Sequence, residues 1–190
     1  MSDTSISGLP EQATPADGDL MVLVDIDAEV GSKTSKISFA QLAEALRDYL
    51  EGLDNAIHGS LYIDDGAVSQ AVTGSAWNKI TGFTAGNYDR VTLGTDQMTI
   101  QDAGGYDVGV ALSWQGGNSV TFEVCLFVNG VEQPQVEFWR KMGVAGDVGS
   151  GSARNIVHLA AGDVIDVRIY PDADGNIVVR SGQLSLHRVF

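Results

Sequence analysis

Apolar and polar positions alternate with a period of two along most of the chain beyond residue 60, most clearly over residues 154–170, RNIVHLAAGDVIDVRIY. In the first arm Ile156 and His158 alternate with Asn155, Val157 and Leu159. In the second, Val164, Asp166, Arg168 and Tyr170 alternate with Ile165, Val167 and Ile169. Alternation of this kind, rich in Val and Ile, predicts strands with two unlike faces. Between the arms Gly162 can take the positive φ of a reversal and Asp163 can cap its own turn, so the pair reads as a hairpin. Similar runs predict strands at 60–63, 76–80, 90–93, 98–101, 106–114, 119–128, 136–141, 153–159, 164–170, 176–180 and 183–189. Asn129-Gly130 after CLFV predicts a type I′ turn. Short strands of this number, punctuated by Gly, Asn and Asp, predict a mainly β sandwich, most naturally a jelly roll.

The first 57 residues follow other rules. Residues 1–18 are polar, contain Pro10 and Pro15, and read as an extended arm. Residues 19–25, DLMVLVD, predict a short strand, and a second element begins at Lys36-Ile37. Ser38 and Gln41 have capping-box spacing and predict a helix from Phe39 to about Leu53. Its apolar positions Phe39, Leu42, Leu46, Tyr49 and Leu53, with Ala43 and Leu50 beside them, form one narrow stripe over roughly two heptads. That stripe can pack on the preceding strand pair, or it can form a parallel trimeric bundle, which at this length needs help from neighbouring structure. Composition shifts across residues 54–59, so the chain divides into a module at 1–57 and a head at 58–190.

With 190 residues, 23 of them Gly and only 4 Pro, the chain has room for one full core and many turns. A net charge of -14 with no basic cluster argues against nucleic acid and anionic membrane surfaces as partners. No apolar run reaches the length of a membrane span, and MSDTSISGLPEQ lacks the basic and apolar regions of a secretion signal, which predicts synthesis in a cytosol. The single cysteine, Cys125, lies in an apolar strand and reads as a buried, inert thiol.

Candidate chemistry is sparse. Asp172-Ala173-Asp174-Gly175-Asn176 opens like a calcium loop, but Ile177 stands where an EF-hand needs Gly and Gln183 where it needs Glu. A hairpin turn accounts for it better. His58, His158 and His187 are too scattered for a zinc motif, although on a threefold axis one His becomes three. Residues 146–151, GDVGSG, lack the Lys and the strand-to-helix context of a phosphate loop. Trp77, Trp114 and Trp139 read as core or interface anchors before they read as a sugar platform. With no nucleophile–base pair, no closed ligand set and no framed carboxylate pair, no catalytic, cofactor or metal residue is expected.

Two resemblances add to this reading. Ile6-Ser7-Gly8-Leu9-Pro10, then Asp17-Gly18-Asp19-Leu20, then KISFAQL at 36–42, resemble the short N-terminal attachment modules of bacteriophage head and tail fibre proteins. Ala103 to Val108 leading into VALSW, the strand and Asn-Gly turn at 122–130, and the segments at 150–163 and 184–189 resemble the jelly-roll family of tumour necrosis factor and the globular head of the first complement component. The second resemblance implies a compact homotrimer. Together they imply a structural virion protein, a short trimeric fibre or capsid decoration displayed on the virion surface. Its partners would be itself and other virion proteins of capsid, tail or baseplate. The attachment candidates are then Ile6, Leu9, Pro10 and Leu20. The trimer-interface candidates are Phe39, Leu42, Leu46, Tyr49 and Leu53, with Leu184, Leu186 and Phe190 of the final strand. The alternative is a receptor-binding head that recognises a host-surface glycan.

Overall fold

A computed structural model describes residues 20–22, 36–38, 43, 44, 46, 57–64, 68–144 and 146–190. The chain divides into two compact units, Met1–Asn55 and Ala56–Phe190. In the first, β1 (Leu20–Val22) pairs antiparallel with β2 (Lys36–Ser38). Ala43, Glu44 and Leu46 are helical, within the span that the capping box at Ser38 predicts. Ile6, Leu9, Pro10, Phe39, Leu42, Tyr49 and Leu53 lie outside the described residues.

Among the described residues the second unit holds twelve strands: β3 (His58–Ile63), β4 (Val68–Val72), β5 (Asn78–Lys79), β6 (Thr84–Asp89), β7 (Val91–Gly94), β8 (Gln97–Ile100), β9 (Gly104–Gln115), β10 (Thr121–Val128), β11 (Val131–Lys141), β12 (Val148–Leu159), β13 (Val164–Pro171) and β14 (Gly175–Arg188). They form two antiparallel sheets. One runs β12-β9-β14-β3-β6, with β4 also on β14; the other runs β11-β10-β13-β8-β7, with β5 also on β13. The inward rows of both sheets make one core, in which Trp114, Tyr106, Phe122, Leu126, Ile165 and Ile169 are completely or almost completely buried. This is the jelly-roll sandwich that the strand spacing predicts.

Three features depart from the sequence reading. Residues 154–170 are not a hairpin: β12 pairs with β9 in one sheet and β13 with β10 in the other. The turn between them is a corner joining the sheets. Gly162, at φ +91°, donates its N–H to the Ile100 carbonyl (2.8 Å), and the Asp163 carboxylate accepts from the Ala160 N–H (2.8 Å). Period-two alternation reports which face is buried, not which strand is the neighbour. Second, β4 and β6 form where no strand is predicted. Both are edge strands: β6 is almost wholly exposed, and β4 is a short stretch of five residues with one buried, so their ladders supply what hydrophobic patterning does not. Third, residues 176–180 and 183–189 fall on one long strand, β14 (Gly175–Arg188), which passes through a bulge near Arg180 while pairing with β9 from Val178 to Arg188. The Asn129-Gly130 turn does form, with both φ values positive (51° and 78°), and the Asn129 side chain ties it to the sheet corner through Asp163 (2.7 Å) and the Val164 N–H (2.9 Å).

The chain end is strapped down. Gly105 donates to the Phe190 carbonyl (2.9 Å) and accepts from the Val189 N–H (2.8 Å), and the Phe190 ring lies on the Gly105 backbone. A Cβ on Gly105 would come within 2.5 Å of that ring. We therefore expect Gly105→Ala to cost about 1 kcal/mol by overpacking. In a Phe190→Ala background the same change should cost nothing, because the clashing ring is gone. Thermal melts of the four chains in this double-mutant cycle check it.

Candidate functional site

The outward face of the β12-β9-β14-β3 sheet is set by register. Four rows cross it: His58–His187–Asp107–Ile156, then Ser60–Ser185–Gly109–Arg154, then Tyr62–Gln183–Ala111–Ser152, then Ser181–Ser113–Ser150. Each strand buries the alternate residues, so these side chains have nowhere to go but outward. The middle of the face is floored by Gly109, Ala111, Ser113, Ser181 and Ser185, and shallow troughs of about 430 and 320 Å³ run along it. Small residues on a sheet face leave the backbone open to close approach by another surface. Asp107 is the only acid in these rows. Arg154 Nε donates to its Oδ1 at 2.6 Å, and His187 Nε2 lies 3.8 Å from its Oδ2. The Arg154 hydrogen bond, helped by the charges of Arg154 and His187, holds the Asp107 carboxyl below the usual carboxylate range.

The outward face of the other sheet is different in kind. Three rows cross β13, β10 and β11: Tyr170–Glu123–Trp139, Arg168–Cys125–Glu137 and Asp166–Phe127–Glu132. Trp77 packs edge-on against Phe127 (5.0 Å between centroids) and Tyr170 (5.4 Å), and Arg168 lies over the Phe127 ring (4.3 Å) while pairing with Asp166 (2.8 Å). Burial first, then the carboxyls of Glu137 and Glu132, push Glu123 up to about 7. Burial likewise pushes the Cys125 thiol up to about 12, which suits the inert thiol expected of it. The Cys125 Sγ donates to the carbonyls of Leu126 and Gln133, both at 3.3 Å. The thiol sulfur and one carboxylate oxygen each from Glu132 and Glu137 lie within 4.8 Å of one another, the one grouping among the described residues with the donor types to hold a metal ion.

The sequence-predicted residues scatter. Leu184 and Leu186, expected at an interface, are 1% and 3% exposed and belong to the core of their own chain. Their parity on β14 turns them inward, with Gln183, Ser185 and His187 outward, so the apolar face of a half-buried strand is spent within the sandwich. Phe190 is 62% exposed, edge-on to His158 at 5.5 Å. Leu46 is 54% exposed, and Leu20 sits in β1. Asp172 and Asp174 serve as turn acceptors, for the Thr121 N–H (3.1 Å) and the Gly74 N–H (2.7 Å). The Asp107–Arg154–His187 cluster and the Glu123–Glu132–Glu137 group were not legible as sites. The clue to the second was TFEVCLFV, in which a Glu and a Cys interrupt an apolar run on the same parity.

No helix among the described residues is long and apolar enough to cross a membrane. No protein-family model and no curated protein matches the chain. Solved structures do. Eiger TNF from S. frugiperda superposes with a TM-score of 0.57 at 13% identity, over 72% of this chain and 94% of that one. Murine APRIL at pH 5.0 gives 0.49 at 14% identity, over 70% of this chain and 99% of that one. At such identity the likeness is one of fold, and the second unit has the fold of a TNF-like jelly roll.

Proposed function

We propose that this chain is a homotrimeric structural protein of a bacteriophage particle, a short fibre or capsid decoration. Residues 1–57 would attach it to capsid, tail or baseplate, and the jelly-roll head would be displayed on the virion surface. The observation that carries the self-assembly is the outward face of β12-β9-β14-β3. A chain with 25 acids and a net charge of -14 repels its own copies, yet in these rows it exposes one acid, already paired with Arg154. A small-residue face relieved of repulsion is where like chains can meet, while Glu123, Glu132, Glu137 and Asp166 sit on the opposite sheet. The attachment half is supported by the resemblance of the first 42 residues to fibre modules. On this reading the head holds and displays, and turns nothing over.

Light scattering at micromolar concentration and moderate salt is expected to give three times 20.1 kDa. A 20.1 kDa monomer overturns the assembly. Chains lacking residues 1–57 should keep the trimer yet be absent from particles; normal incorporation overturns the attachment role. A second reading, a glycan-recognising head, is favoured by Trp139, which is 62% exposed and donates its indole N–H to Glu137. An exposed ring beside a carboxylate suits a sugar face and its hydroxyls. Glycan-array binding that Trp139→Ala abolishes would favour that reading.

A further inference from the structure

We propose that Asn129-Gly130 is a self-modification site, where the backbone nitrogen of Gly130 displaces the Asn129 side-chain amide and leaves aspartate or isoaspartate. The pair forms the type I′ turn between β10 and β11, with φ of 51° and 78°, and both residues are exposed. Three bonds hold Asn129 on the corner where β13 begins. Its N–H donates to the Val164 carbonyl (2.8 Å), its Oδ1 accepts from the Val164 N–H (2.9 Å), and its Nδ2 donates to Asp163 Oδ1 (2.7 Å). A backbone donor on one side and a carboxylate on the other admit one orientation of the amide. Gly130 is unencumbered by comparison. Its N–H has no partner among the described residues, and a Cβ placed on it would meet only Arg168 Nη2, at 3.8 Å. With no side chain there, nothing shields the nitrogen from the neighbouring Cγ.

The reaction needs a nucleophile in reach, a place for developing negative charge and a leaving group that is held. Solvent hydroxide takes the Gly130 amide proton, and the nitrogen attacks Cγ of Asn129 to close a succinimide ring. Negative charge develops on Oδ1, the atom to which the Val164 N–H already donates. Asp163 fixes the Nδ2 end of the amide. The Cγ–Nδ2 bond breaks, and the amide nitrogen takes a proton from water and leaves as ammonia. Water then opens the ring at either carbonyl, so one water is consumed and one ammonia released. The fold senses the product. In the aspartate form an oxygen stands where Nδ2 stood, 2.7 Å from Asp163 Oδ1, and two carboxylates that close repel. Asp163 is not free to swing away, because its Oδ2 accepts from the Ala160 N–H (2.8 Å). In the isoaspartate form an extra backbone carbon breaks the two-residue turn. Either way the hairpin tip loses its tie to the corner between β12 and β13. The change is irreversible and accumulates, so it records the age of the chain.

The test follows the full chain at alkaline pH by intact mass and peptide mapping, beside the same chain unfolded in urea. The expected result is conversion at Asn129, with isoaspartate among the products, at least as fast in the folded chain as in the unfolded one. Slower conversion in the folded chain overturns the proposal, because the three bonds would then guard the amide instead of activating it. A second arm makes the product directly. Asn129→Asp is expected to melt roughly 5 °C below the parent at neutral pH. Asp163→Asn in the same chain should recover most of that loss, since it removes the facing charge and keeps an acceptor for the Ala160 N–H. An Asn129→Asp chain that melts with the parent overturns the sensing at Asp163. Neither arm depends on the mass of the assembly.

Discussion

Replacing Trp114 with Ala is expected to lower the stability of the head by about 4 kcal/mol, within the usual range for deleting a buried large aromatic. Trp114 is completely buried, edge-on to Phe122 (5.8 Å between centroids) and tilted against Phe138 (6.3 Å), so it bridges the two sheets at the core's widest side chain. Trp114→Phe should cost far less than its lost volume suggests. The indole N–H has no hydrogen-bond partner among the described residues, and an unsatisfied buried donor costs about 1–3 kcal/mol, which Phe does not incur. The smaller ring leaves a cavity that takes back part of that gain, for a net loss of about 1 kcal/mol. Urea titrations of the two variants check this. If Phe costs as much as Ala, the N–H is making a bond that the geometry does not display.

The second large effect concerns assembly. Ala111 lies at the floor of the outward trough, between Gln183 and Ser152. Ala111→Arg is expected to convert a species of three times 20.1 kDa into a monomer at ten micromolar, because a long cation fills the approach and threefold symmetry repeats it three times. The fold should tolerate the change, since the position faces outward. Thr92→Arg, an exposed position on β7 of the other sheet, should leave the mass unchanged. A trimer that survives Ala111→Arg with an unaltered melting curve would remove this face from the interface.

Much of the head was legible because alternation reports burial directly. Ile165, Val167 and Ile169 fall inward and Asp166, Arg168 and Tyr170 outward as the pattern says. What alternation does not carry is the identity of the neighbouring strand, which is why the corner at Gly162 passed for a hairpin turn. Edge strands such as Thr84–Asp89 escaped because little of them is buried, so hydrophobicity leaves no trace there. The candidate sites were harder still. Asp107, Arg154 and His187 stand on three different strands, and only the register of β9 with β12 and β14 brings them together. Leu184 and Leu186 show the opposite error, in which apolar character was read as an invitation to a neighbour when the chain's own second sheet had already claimed it.

The place of β14 bears on how the chain is made. It lies between β9 and β3, with His187 opposite His58, so the sheet has a gap until that strand is made. At about 5–20 residues per second, the 129 residues separating those partners take roughly 6–26 s to translate. Until then β3, and β9 once it has been made, present open edges to whatever strand is at hand, and the β3–β14 pairing that finally closes the gap is among the longest-range in the fold. On a polysome the nearest candidate is the finished β14 of a sister chain. A protein built this way is prone to exchange β14 between nascent copies, and crowded synthesis is when that exchange would occur.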